Sequence, residues 1–157
     1  MTTSLPPSGA DVVRSGSSKE VDRHQAEKYR RVGASLLASA QALESVAMPG
    51  DPYGNALGVI AVHASIAYND ALTISFRGIK STEGDHRKAA DVLRQALGSR
   101  ARSEQVERLR SILSLKDRIS YAGQFYTLEE ARHLLRSAEA FCSWAEALYA
   151  ERPPARG

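Results

Sequence analysis

The stretch LKDRISYAGQFYTLEEA, residues 115–131, holds the end of one helix and the beginning of the next. Leu115 and Ile119 continue an apolar helical period, and Gly123 breaks it, since glycine readily takes the left-handed conformation that closes a helix. Thr127 then stands three residues before Glu130. At that spacing the threonine hydroxyl accepts from the glutamate backbone while the carboxylate reaches back to the threonine, a capping box. Two residues are left over by this account. Arg118 and Tyr121 lie on the closing helix three positions apart, with Phe125 and Tyr126 just beyond.

The helical pattern extends both ways from this junction. Downstream, a fifth helix runs to about Ala150, with Leu134, Leu135, Ala138, Phe141, Ala145 and Leu148 inward. Upstream, a fourth runs from about Ser103, its expected cap, to Ala122. A short third spans Asp85 to Leu97 and stops at Gly98. The second, Tyr53 to Phe76, is almost continuously apolar or small and is expected to be central, closing at Arg77-Gly78. The first spans Ser18 to Ala47, with Val32, Leu36, Leu43 and Val46 as its expected core face, and ends at Pro49, Gly50 and Pro52. No run alternates like a half-buried strand. The expected fold is all-α: an antiparallel four-helix up-and-down bundle with an additional short helix across one end. Residues 1–18, rich in Ser, Gly, Pro and Thr, read as a disordered tail. Residues 19–151 read as one domain, and 152–157 as a flexible end.

Composition agrees with helix-on-helix packing: 43% of residues are apolar but only 6% aromatic, so alanine and leucine fill the core. No run of about 18 consecutive apolar residues occurs, which argues against a membrane span. The N-terminal stretch lacks the apolar segment of a secretory signal, and with one cysteine, Cys142, a cytoplasmic location is expected. The net charge of +3 is unevenly spread. Residues 77–118 carry 11 basic and 6 acidic side chains, and residues 119–151 carry 2 and 5. A basic middle attracts phosphate, or is a solvated face with surplus arginine.

There is no glycine-rich phosphate loop, no metal-spaced cysteine pair and no pair of histidines one helical turn apart, so no cofactor and no metal are expected. Cys142, mid-helix, reads as a small core residue. His63 reads as a hydrogen-bonded core histidine of the second helix. Asn69 and Asp70 interrupt that same apolar helix. Either Asp70 lies on an exposed stripe, or it meets a basic partner such as Arg118.

The order of these features resembles the HEPN family of small helical proteins. The resemblance rests on Leu115, Arg118 and Tyr121, on Glu129-Glu130-Ala131, and on Ala138-Glu139-Ala140-Phe141, and covers about residues 20–151. It implies a bundle of four main helices plus a short one, usually dimeric, and often a ribonuclease toxin paired with a nucleotidyltransferase-like protein. The family's active site uses an arginine, a polar residue and then a histidine after four to six intervening positions. Arg118 matches the arginine, Ile119 takes the polar place, and the window Ala122–Phe125 holds no histidine. Cleavage of RNA by its own 2′-hydroxyl needs a proton acceptor and a donor, which arginine cannot supply.

Three functions follow. The first is a HEPN-like module without ribonuclease chemistry that binds RNA or a nucleotide, or serves a nucleotidyltransferase-like partner in a toxin–antitoxin or defence setting. Arg118 would hold phosphate, Tyr121 would stack on a base, and His86, Arg87 and Lys88 would add positive charge. The second is an atypical ribonuclease whose base, His86 or His133, is relocated. The third is a helical interaction protein in which Arg118 pairs with Asp70 or Asp117. A homodimer is expected from the resemblance, with Tyr121, Phe125 and Tyr126 as its clustered aromatics.

Overall fold

The computed structural model describes residues 17–82, 88–120 and 123–155. The chain is mostly helical. In order come strand β1 (Ser18–Glu20), a 3₁₀ turn (Arg23–Gln25), α1 (Ala26–Val46), α2 (Gly54–Arg77), β2 (Ile79–Ser81), α3 (Ala89–Leu97), a 3₁₀ turn (Gly98–Arg100), α4 (Ser103–Ser114), α5 (Lys116–Ser120) and α6 (Leu128–Ala150).

Helix α2 is the axis. Leu57, Ala61, Val62, Ala64, Leu72 and Ile74 are fully enclosed, and α1, α3, α5 and α6 all pack on it. It stops where Gly78 turns left-handed at φ 64° and donates its N–H to the Ile74 carbonyl. By length and mean hydropathy α2 meets the requirement for a membrane span, although its longest uninterrupted apolar run had argued otherwise; 78% of its most apolar window is buried against the rest of the protein.

Helix α1 starts at Ala26 rather than Ser18. Ser18–Glu20 pairs antiparallel with Ile79–Ser81, Lys19 opposite Lys80. Val21 donates to the Gly78 carbonyl at 2.8 Å. A ladder between distant segments satisfies this backbone, and no local pattern announces it. The chain is therefore not wholly helical. Asp22 caps the turn that leads into α1, accepting from the His24 N–H.

The side of α1 that meets the core is only in part the expected one: Leu36 and Leu43 do pack against it. Its buried residues are Ala26, Gly33 and Ala40, followed by Ala47 just beyond the helix, one every seven positions. Small residues let the two helices approach closely. A Cβ at Gly33 would stand 2.8 Å from the Tyr68 ring. Val32 and Val46, expected in the core, are 48% and 72% exposed.

Helices α1 and α6 run antiparallel, joined by Glu27–Tyr149, Arg30–Glu146, Gln41–Glu139 and Glu44–Arg136. The capping box of α6 is formed as expected, and Leu134, Leu135, Ala138, Phe141, Ala145 and Leu148 are buried. The expected fourth helix is two pieces. Leu115 donates to the Ile112 carbonyl, a tight turn, and Ser114 Oγ bonds back to the Ser111 carbonyl at 2.6 Å. Ser103 is its first helical residue and provides no side-chain cap. For the third helix, the expected start at Asp85 lies outside the described residues.

Candidate functional site

Arg118 sits near the end of α5, where α2, the loop 123–127 and α6 converge. The loop is held by α2. Asn55 Nδ2 donates to the Ile119 and Gln124 carbonyls, each at 3.0 Å, and Asn55 Oδ1 accepts from the Tyr126 N–H at 3.0 Å. Gly54 lets the loop lie directly on the helix, for a Cβ there would fall 1.9 Å from the Tyr126 carbonyl oxygen. Gly58 makes room for Ile119 and the Tyr126 ring.

On this platform the Arg118 guanidinium lies 5.5 Å from the centre of the Tyr126 ring and donates to Glu130 Oε1 at 3.2 Å. The other Glu130 oxygen accepts from the Thr127 N–H and hydroxyl. One carboxylate thus caps α6 and orients Arg118. The Thr127 backbone bond, its hydroxyl and Arg118 hold the Glu130 carboxyl below the usual range. Burial raises the Tyr126 phenol, and its OH donates to the Glu130 carbonyl. About half of the Arg118 side chain stays exposed. Beside the pair, sharing Thr127, lies an open groove of about 400 Å³ lined by Pro49, Asp51, Phe125, Leu128 and Arg132. Phe125 is 65% exposed.

The other predicted residues are dispersed. Tyr121, His86 and Arg87 lie outside the described residues, and Lys88 is exposed just ahead of α3. Asp70 is buried, not on an exposed stripe. Among the described residues it pairs with Lys80 of β2, with Nζ at 3.8 Å, and not with Arg118. Lys80 also covers the Tyr29 ring at 5.0 Å, so the pair fastens the β-ribbon to α1 and α2. Asn69 is buried and belongs to the same helix interior. Arg118 pairs with neither Asp70 nor Asp117. Part of the basic middle is paired: Arg94 and Arg110 meet Glu107, Arg108 meets Glu104, and Arg110 meets Asp91. Of the expected aromatic cluster, Tyr126 is buried beneath Arg118 while Phe125 faces out.

The described histidines do not reach Arg118, whose partners are Glu130 and Tyr126. His63 is exposed rather than in the core, and His133 is exposed one turn beyond Glu130 on α6. Cys142 is buried as expected, and burial pushes its thiol up to about 12, far from a reactive thiolate. Among the described residues no group of His, Cys, Asp and Glu is arranged to hold a metal ion. Asn55, the place of Tyr126 beneath Arg118 and the second role of Glu130 escaped sequence reasoning. Glu130 carried a signal, its capping position, that spoke only of helix start.

Comparison with protein-family models, curated protein sequences and solved structures returns no match.

Proposed function

We propose that the chain is a HEPN-like binding module that recognises the phosphate of RNA or a nucleotide at Arg118 and does not cleave it. The observation that carries this reading is the half-exposed Arg118 guanidinium, fixed by Glu130 and Tyr126, with Glu130 bonded to Thr127 of the neighbouring Phe125 groove. An arginine held in place loses little freedom when it adds a bidentate contact to phosphate. Phe125 offers an open ring for a base to stack on, and the groove is of ligand size. No histidine faces Arg118 among the described residues, so proton transfer lacks its usual agent. In this reading the helices form an up-and-down bundle, the chain works in the cytoplasm, and a nucleotidyltransferase-like protein is its partner.

The test is fluorescence anisotropy with a labelled single-stranded oligoribonucleotide, followed by a gel of the same RNA. Binding should weaken as salt rises. Arg118→Ala and Phe125→Ala should each lower affinity by about tenfold, the scale of one lost stacking or charged contact, and the RNA should stay intact. Equal binding by both variants and the wild type sinks the reading. Cleavage that disappears in His133→Ala or His86→Ala would instead establish an atypical ribonuclease with a relocated base.

A further inference from the structure

A second cationic cleft lies at the end of α6 far from Arg118. It opens between the 3₁₀ turn before α1 and the segment that leaves α6, with a volume of about 370 Å³. Arg23, His24 and Arg152 line it, over Glu27 and Tyr149. Each arginine is positioned by a backbone carbonyl rather than by a carboxylate. Arg23 Nη2 donates to the Phe76 carbonyl at 2.9 Å, and Arg152 Nη1 to the Tyr149 carbonyl at 3.1 Å. Arg152 also lies over the Tyr149 ring, 4.1 Å from its centre. Among the described residues neither guanidinium has an ion-pair partner, whereas Arg30, Arg108, Arg110, Arg118 and Arg136 each meet a carboxylate. The carbonyls hold the two side chains and leave their charge unmatched.

Glu27 is the acid of this lining, and its charge is already answered. Its Oε1 accepts from Arg30 and Arg31, and its Oε2 from Arg30 and the Tyr149 hydroxyl. Asp22, beside Arg23, is turned to the His24 N–H. The floor is thus neutralised by arginines outside the cleft, and Arg23 and Arg152 remain in excess beside the exposed His24. Their two charges match a dianion. A guanidinium offers five N–H donors, and two of them present more than the pair of oxygens on a carboxylate can accept. A phosphate monoester brings three terminal oxygens and nearly two negative charges at neutral pH. The cleft also exceeds what the ion alone would fill, being at the small end of ligand pockets, and Pro153, Pro154 and Ala155 give it an apolar wall for an organic group. We propose that this cleft binds a small phosphate monoester, a sugar phosphate or a nucleoside monophosphate, with the phosphate between Arg23 and Arg152. The inference does not rest on the phosphate reading of Arg118. Glu130 stands in the first turn of α6 and Arg152 beyond its last, and a helix of 23 residues spans about 35 Å.

The experiment is a titration of the isotope-labelled full chain, followed by nuclear magnetic resonance at the arginine Nε–H signals. Ribose 5-phosphate, adenosine monophosphate, ribose and inorganic phosphate are the separate probes. Both esters should move the Arg23 and Arg152 signals to saturation, ribose should move neither, and the ester that binds more tightly gives the source. Arg152→Ala, at an exposed side chain beyond the helix, should weaken binding about tenfold, the scale of a lost charged contact, with an unchanged circular dichroism spectrum. Arg118→Ala should bind the esters as the wild type does. Equal shifts with ribose and ribose 5-phosphate overturn the proposal, as does the lack of saturation at millimolar ester. So does an affinity unaltered in Arg152→Ala, or one lost in Arg118→Ala. Inorganic phosphate that binds as tightly as either ester overturns the organic part of the ligand.

Discussion

The two ends of α6 are built from the same three residue types, and they behave differently. At the C-terminal end, Arg30 grips Glu27 through two nitrogens, reaches Glu146, and lies against the Tyr149 ring, whose hydroxyl donates to Glu27. At the N-terminal end, Arg118 touches Glu130 through one nitrogen and lies against Tyr126. The first cluster is closed. Its arginine is 24% exposed and joins α1 to α6, and Arg30 holds the Glu27 carboxyl down at about 2, with the Tyr149 hydroxyl and Arg31 helping and burial opposing. The second is open, with Arg118 49% exposed. The difference lies in the number of donors already used. An arginine that spends its fork on two carboxylates is a fastening, and one that spends a single N–H is what the proposed phosphate contact requires.

The comparison breaks most severely at Gly54. Gly54→Ala forces a Cβ into the backbone of the loop that carries Tyr126, so the open cluster should be displaced and the protein destabilised by about 3 kcal/mol, the upper range for overpacking. Urea unfolding checks this, and an unchanged midpoint would mean that the loop is not seated on α2. Thr127→Ala removes the hydroxyl half of the α6 cap and should destabilise by about 1 kcal/mol, read in the same way.

Acid separates the two clusters. Glu27 has its folded-state carboxyl at about 2, below the ordinary carboxylate value, so its contribution is fully present above about pH 5 and is lost as pH falls toward 2. The pair is partly solvated, and its screened contribution is about 1 kcal/mol. Glu27→Gln should therefore lower the urea midpoint at pH 7 and flatten its decline between pH 5 and pH 2. A decline as steep as in the wild type would place the acid sensitivity elsewhere. The smallest expected effect sharpens the contrast: Arg118→Ala should leave the urea midpoint within error, because an exposed single-contact pair contributes little, while Arg30→Ala lowers it.

The local features of this chain were legible and the long-range ones were not. Thr127 and Glu130 announce their cap because both partners lie within one helical turn. The apolar density of α2 shows that it is central, and Gly78 and Gly98 mark two helix ends. The strand at Ser18–Glu20 is stabilised by residues some sixty positions away, on which its own three residues carry no information. The core side of α1 is half legible for a different reason. Hydrophobic size points to Val32, Leu36, Leu43 and Val46, of which Leu36 and Leu43 pack against the core, whereas close helix approach selects the small residues Ala26, Gly33 and Ala40. At the site, Arg118 stood out as an unexplained cation, but its partner depends on how the 123–127 loop folds back, which Asn55 decides from another helix.

The β-ribbon makes the α1–α2 hairpin a closed circuit. The turn at residues 47–53 links the helices at one end, and the pairing of Ser18–Glu20 with Ile79–Ser81, fastened by Lys80 between Asp70 and Tyr29, links them at the other. A helix at the edge of a bundle ordinarily frays from its free end, releasing its amides a few at a time. Helix α1 has no free end of that kind. Its amides should exchange with solvent deuterium at rates that track those of α2, as one opening unit from Ala26 to Arg77, and cutting the ribbon should return to α1 the graded exchange of an ordinary peripheral helix.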